Sequence, residues 1–129
     1  FLSPGCPYCI EREKVTPADA VQLICSTGGI PILAHPILYH FTDEKLRQLI
    51  VSLKKMGLMG IEAIYSTYSV REEAYIRDLA AELDLCISGG SDFHGDNKPG
   101  LDLGCGYGHL DIPYSILDTL RERRKNYED

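Results

Sequence analysis

An aspartate and a histidine two residues apart, Asp92 and His94 in Ser91-Asp92-Phe93-His94-Gly95, are the part of this sequence best suited to chemistry. In extended backbone a spacing of two points both side chains to one side. A carboxylate oxygen beside an imidazole nitrogen suits borderline divalent cations such as zinc, manganese or iron. The surrounding Gly89, Gly90 and Gly95 permit close backbone approach to a ligand, or positive φ. The competing reading of the same residues is a turn in which Asp92 caps local amides. A second candidate, His35, stands between Ala34 and Pro36 at the end of a short apolar run, where it is either a hydrogen-bonded structural residue or a metal ligand.

The elements that must carry these residues alternate. Thr16-Pro17 supplies an N-cap with proline at the first helical position, and Ala20, Val21, Leu23 and Ile24 give that helix an apolar face before Gly28-Gly29 stops it. Ile30 to Ala34 is short, apolar and bounded by glycines and a proline, as a buried parallel strand would be, with Pro31 near its start. A second helix opens after Thr42, with Leu46, Leu49, Ile50 and Leu53 on one face and Gly57 as its stop. Gly60-Ile61-Glu62-Ala63-Ile64-Tyr65 reads as a second strand.

Ser69 with Glu72 has the capping-box spacing for a third helix, whose core face would be Tyr75, Leu79, Ala80 and Leu83. Leu85-Cys86-Ile87-Ser88 is a third strand leading into the Asp92 loop. A last helix is expected from about Pro113, presenting Ile116, Leu117 and Leu120 and ending in cations suited to the negative end of its dipole. Such alternation builds an α/β fold with a parallel sheet covered by helices. All its strands point the same way, so His35, Glu62 with Tyr65, and Asp92 with His94 are expected on one rim, at the C-terminal strand ends where function gathers in such folds.

Composition sets the outer bounds. The chain has 129 residues, 44% of them hydrophobic and 25% charged, the profile of one globular domain without disorder. A formal net charge of -6 does not indicate a nucleic-acid or anionic-membrane partner, yet remains compatible with a small phosphorylated ligand held through metals. The apolar runs are too short for a membrane span, and the scattered, odd set of cysteines, Cys6, Cys9, Cys25, Cys86 and Cys105, fits reduced thiols in a cytoplasmic protein. Residues 1–15 read as a connector, and an opening without Met suggests that upstream sequence is missing.

Gly28-Gly29-Ile30-Pro31-Ile32-Leu33-Ala34-His35-Pro36 resembles the third motif of the polymerase and histidinol phosphatase (PHP) family. Gly60-Ile61-Glu62 and Ser88-Gly89-Gly90-Ser91-Asp92-Phe93-His94-Gly95 are similar to that family's later strand and fourth motif, in the family's order over roughly residues 16 to 110. The resemblance implies metal-dependent hydrolysis of a phosphate ester, with His35, Asp92 and His94 as ligands to part of a site holding two or three divalent ions of zinc, manganese or iron. It implies that residues 16–129 are the C-terminal part of a distorted β/α barrel of about seven strands, of which this chain holds some three. The family's other ligands come from an upstream His-x-His motif and further residues, whereas the only histidines here are His35, His40, His94 and His109. The isolated chain is therefore expected to be inactive, and its unpaired strand edge favours self-association.

Glu62 matches a family glutamate and is assigned a positioning or structural role rather than direct ligation, and Tyr68 stands where related sequences often carry histidine. Lys98 is a candidate point charge for a substrate phosphate, from a nucleotide or a sugar phosphate. Its competing reading is a solvated loop lysine. His109, in the glycine-rich stretch after Leu103, lacks the context of a phosphate loop and reads as part of a flexible rim. Two other functions compete: a non-catalytic fragment that binds metal or assembles with itself, and a thiol-disulfide oxidoreductase built on Cys6-Pro7-Tyr8-Cys9. Against the latter, the sequence offers no strand before Cys6 and no helix until Pro17.

Overall fold

The structure is a computed structural model and describes residues 15–128. Cys6 and Cys9, with nearly all of the expected connector, lie outside the described residues. The elements run α1 (Pro17–Ser26), β1 (Ile32–Leu33), α2 (Asp43–Lys55), β2 (Gly60–Tyr65), α3 (Val70–Glu82), β3 (Cys86–Gly90) and α4 (Ser115–Glu128). Short 3-10 turns at Pro36–Tyr39 and Gly95–Asn97 follow β1 and β3. The three strands form a sheet in the order β1-β2-β3, with both pairings parallel.

The helix starts are written in side-chain chemistry. The Thr16 and Ser69 hydroxyls accept the amides of Asp19 and Glu72, and those two carboxylates reach back to the cap amides, satisfying donors that a helix leaves orphaned. Thr42 caps α2 through the amide of Lys45 at 3.3 Å. Leu46, Ile50 and Leu53 of α2 join Ile61 and Ala63 of β2 and Ile76, Leu79 and Ala80 of α3 in one buried cluster. β2 is buried nearly throughout, as a central strand with neighbours on both sides should be.

The expected α4 face is only partly used: Leu120 is buried, Ile116 is intermediate and Leu117 is exposed. Of the cations at its end, Arg123 forms a two-pronged ion pair with Asp84 at 2.8 and 3.1 Å, tying α4 to the turn before β3. That pairing holds the Asp84 carboxyl below the usual carboxylate range.

Two departures from the expected elements have clear causes. β1 shrinks to two residues because Pro31 has no N–H to give the ladder; its carbonyl still accepts the amides of Met59 and Gly60, and beyond Ala34 the chain turns left-handed at His35 (φ 31°). The 101–110 segment, expected as a flexible rim, is instead an ordered return in which Asp102 and Gly106 exchange two backbone hydrogen bonds of 2.9 and 3.0 Å.

The packing yields a stability prediction. Ile61→Ala, which empties a fully buried position at the sheet's centre, should cost about 2–5 kcal/mol. Ser69→Ala, which removes one cap, should cost about 1 kcal/mol. Urea denaturation followed by far-UV circular dichroism separates the two, and equal losses would contradict this placement of the core.

Candidate functional site

The candidate site lies where β1, β2 and β3 end. His35 leaves β1 in the left-handed region (φ 31°, ψ 54°), a conformation that costs energy for a residue with a Cβ and that surrounding contacts must hold. Glu62 supplies one of them, since its Oε2 accepts the His35 backbone N–H at 2.7 Å. The imidazole meets the Tyr65 ring edge-on, with centroids 5.7 Å apart, and the Tyr39 ring at 6.2 Å. The Nδ1 atom of His35 is buried with no hydrogen-bond partner among the described residues. A buried ring nitrogen without a partner forfeits its hydration, so this atom calls for a bonding partner.

Glu62 and Tyr65 are three apart in one strand, and strict alternation would send them to opposite faces. A register shift between Glu62 and Ile64 breaks the alternation: Glu62 pairs with Ser88, but Ile64 with Gly89 and Tyr65 with Gly90. Both side chains consequently reach His35. Glycine at 90 leaves room for that carboxylate, since a Cβ there would stand 2.9 Å from Glu62 Oε1. Burial raises the Glu62 pKa above its ordinary value, an effect opposed by the hydrogen bond from the His35 amide.

Asp92, also at positive φ (59°), faces this group from the loop after β3. Its Oδ2 accepts the Tyr65 hydroxyl at 2.6 Å and is paired with the Lys98 ammonium. Those two hydrogen bonds, Lys98 first, hold the Asp92 carboxyl below the usual carboxylate range. The Tyr65 hydroxyl is pushed far above its ordinary pKa by burial and by Asp92, so it is a permanent donor. Tyr68 is held at about 12, chiefly by burial, and its oxygen accepts the Ile37 amide at 3.2 Å. The tyrosine at this position thus supports the turn that follows His35.

His94 Nδ1 lies 2.7 Å from the Asp92 carbonyl oxygen and 3.4 Å from Asp92 Oδ1. A contact with a carbonyl requires the proton on Nδ1, which leaves the lone pair on Nε2. With 54% of its side chain exposed, His94 presents that nitrogen outward. An imidazole oriented through one nitrogen and open at the other has the form of a metal ligand.

The structure therefore brings Asp92, His94 and Lys98 into direct contact and joins Asp92 to His35 through Tyr65. It does not gather His35, Asp92 and His94 into one cluster: among the described residues, no group of three or more His, Cys, Asp or Glu side chains could hold a metal ion. His109 is exposed in the 101–110 return, away from these contacts. Tyr65 was visible in the sequence only as a residue at a strand's end; nothing local to it signalled a hydrogen bond to a residue 27 positions later.

Beside the Asp92–Lys98 pair opens a cavity of about 280 Å³, lined in part by Tyr65, Ser66, Thr67, Leu101 and Tyr107. Two bonds between side chain and backbone tie its lining together: the buried Ser66 hydroxyl donates to the Ser91 carbonyl at 2.8 Å, and the Ser91 hydroxyl accepts the Gly104 amide at 3.3 Å.

No family model matches the chain. A 5'-3' exoribonuclease from Haemophilus influenzae is 34% identical over 120 residues, covering 93% of this chain and 41% of that protein. A 3',5'-nucleoside bisphosphate phosphatase from Chromobacterium violaceum is 31% identical over 104 residues, covering 81% of this chain and 36% of that protein. The solved structure of an amidohydrolase from Chromobacterium violaceum, with bound sulfate and no metal, superposes with a TM-score of 0.70 at 31% identity, over 95% of this chain and 42% of that one. The chain thus spans about two fifths of the length of these relatives.

A probable thioredoxin from Archaeoglobus fulgidus is also 31% identical over 88 residues, 64% of this chain and 84% of that protein. The likeness in fold, which extends over 95% of the chain, is to the amidohydrolase. The described cysteines Cys25, Cys86 and Cys105 are all free thiols. Similarity to a nucleotide phosphatase and an exoribonuclease, the shared fold and the sequence motifs around His35, Glu62 and Asp92 in their family order converge on one assignment: this chain belongs to the PHP family of phosphoesterases.

Proposed function

We propose that the protein carrying this chain hydrolyses a phosphate ester with the help of divalent metal ions, and that His35, Asp92 and His94 supply part of the ligand set. The observation that carries the reading is the buried, unpartnered Nδ1 of His35 at the rim shared with the Asp92 carboxylate. The donor set fits such ions: an imidazole nitrogen on each of two loops and a carboxylate already ionised by its neighbours. Two or three divalent ions, of zinc, manganese or iron, would supply Lewis acidity toward phosphoryl oxygens and make hydroxide accessible near neutral pH. The remaining ligands would come from sequence beyond this chain, which is consistent with the share of its relatives that it spans. In the same reading, residues 16–129 form the C-terminal part of a PHP barrel, and the isolated chain is inactive and prone to self-association at its open sheet edge.

The other residues have positioning work. Glu62 holds the His35 backbone in its left-handed turn, and Tyr65 orients one oxygen of Asp92. Lys98, in the lining of the cavity, offers a point charge to a phosphate oxygen of a small substrate, and the activities of the relatives favour a nucleotide or the end of an RNA. No helix among the described residues is long and apolar enough to cross a membrane, and we place the protein in the cytoplasm.

Three outcomes are expected in the full-length protein. His35→Ala, Asp92→Ala and His94→Ala should each lower bound metal and phosphoesterase activity together, measured by elemental analysis beside kinetics; full occupancy and full activity in the Asp92 and His94 variants would refute the ligand assignment. Lys98→Ala should chiefly raise KM at constant metal content, by about tenfold if a ground-state phosphate contact is lost. A fall in kcat alone would instead point to a role confined to the transition state. Replacing Cys6 and Cys9 by serine should leave hydrolysis intact, whereas a reversible Cys6–Cys9 disulfide at cytosolic potential, coupled to loss of activity, would support the oxidoreductase reading.

A further inference from the structure

Tyr107 occupies a position that the hydrolytic reading leaves without a task. The residue is 55% exposed, yet the loop that carries it is clamped in place. Gly106 is buried at φ 61°, and a Cβ on it would stand 2.5 Å from the Ser66 hydroxyl oxygen, so the backbone there packs directly onto the turn after β2. Asp102 and Gly106 close the loop with two backbone hydrogen bonds, the Gly104 amide is held by Ser91, and the Gly108 and Leu110 amides both return to the Cys105 carbonyl at 2.9 and 3.2 Å. The segment thus fixes an aromatic ring at the wall of a cavity that has Lys98 and Tyr65 on its Asp92 side.

An exposed aromatic held in the lining of a cavity that also carries a cation is the arrangement of a stacking platform. A cavity of about 280 Å³ is below the roughly 300–1,000 Å³ of a site that encloses a whole drug-sized ligand. It therefore suits a single ring system rather than the entire substrate. The exposed Thr67 hydroxyl in its lining can donate to or accept from a ring heteroatom, without demanding one pattern.

We infer that the cavity between the turn after β2 and the 101–110 loop is the subsite for the planar ring of the substrate's organic moiety, with Tyr107 as the residue that stacks on it and sets the preference for ring-bearing phosphate esters. The inference rests on the phosphoesterase reading for the chemistry at Asp92 but not for the ring contact itself. The phosphate end lies toward Lys98 and the ring end toward Tyr107. Stacking is tolerant of ring identity, so this subsite selects for the presence of a base more than for its kind.

Two measurements on the full-length protein test it. In steady-state kinetics with adenosine 5'-monophosphate and ribose 5-phosphate, Tyr107→Ala should reduce the preference for the nucleotide about tenfold, through KM, while Tyr107→Phe restores it. A parallel fall on both substrates, or an unchanged ratio, overturns the inference. In saturation-transfer NMR with adenosine, which has no phosphate, the base protons should receive saturation from the wild-type protein and from Tyr107→Phe but not from Tyr107→Ala. If wild type hydrolyses neither ester but binds adenosine in this Tyr107-dependent way, the phosphoesterase reading fails and the ring subsite stands. If adenosine binds equally to Tyr107→Ala, or does not bind wild type, the ring subsite fails whatever the chemistry at Asp92.

Discussion

Everything at the candidate site depends on β2 being paired in parallel on both sides. Parallel pairing makes all three strands end at one rim, and the ladder Leu33↔Ile61 on one side and Tyr65↔Gly90 on the other brings residues from three distant stretches of chain together. The register shift within β2 then adds what regular geometry would forbid. By absorbing one residue between Glu62 and Ile64, it lets a carboxylate and a phenol three apart both serve His35. The arrangement is held by the apolar cluster beneath it, in which Ile50, Ile61 and Ile76 are fully buried.

The polar groups at the rim are arranged for position more than for stability. The Asp92–Lys98 pair is partly open to water, where ion pairs contribute little to folding. Two non-glycine residues, His35 and Asp92, sit at positive φ within this one site, and strained backbone of that kind persists only where neighbouring contacts over-determine it. For His35 those contacts are Glu62 and two aromatic rings; for Asp92 they are Tyr65, Lys98 and the His94 ring. The cost of strain and of a buried ring nitrogen without a partner is the expected mark of a site whose geometry serves binding.

The loop from Ser91 to Leu110 extends the same logic outward. Ser66 and Ser91, both buried, join this loop to the turn after β2, and glycine at 106 lets the two backbones approach where any side chain would collide. A stretch that looks loose in sequence, rich in glycine and short of apolar residues, is thereby converted into a wall of the cavity. The same loop carries both Lys98 and Tyr107 to the lining of one cavity, so the chemistry near Asp92 and the shape of the space beside it are set together.

Much of the local structure was legible in the sequence, because caps and apolar periodicity are properties of neighbours along the chain. Thr16, Thr42 and Ser69 start helices where their hydroxyls can meet an amide three residues on, and the spacing of Leu46, Ile50 and Leu53 announces the face that is buried. The motifs around His35 and Asp92 pointed to the family for a similar reason: tight turns at strand ends restrict which residues can occupy them. Only the tertiary structure decided that β1 is two residues long, that Glu62 grips the His35 amide, and that Tyr65 bridges His35 to Asp92. Those contacts join residues about 27 positions apart across a sheet whose register includes an irregularity, and no local pattern encodes a register shift. The ordering of the 101–110 loop escaped the sequence for a related reason: its glycines signal freedom until the surface they pack against is known, and that surface, Ser66, is supplied by another strand's end.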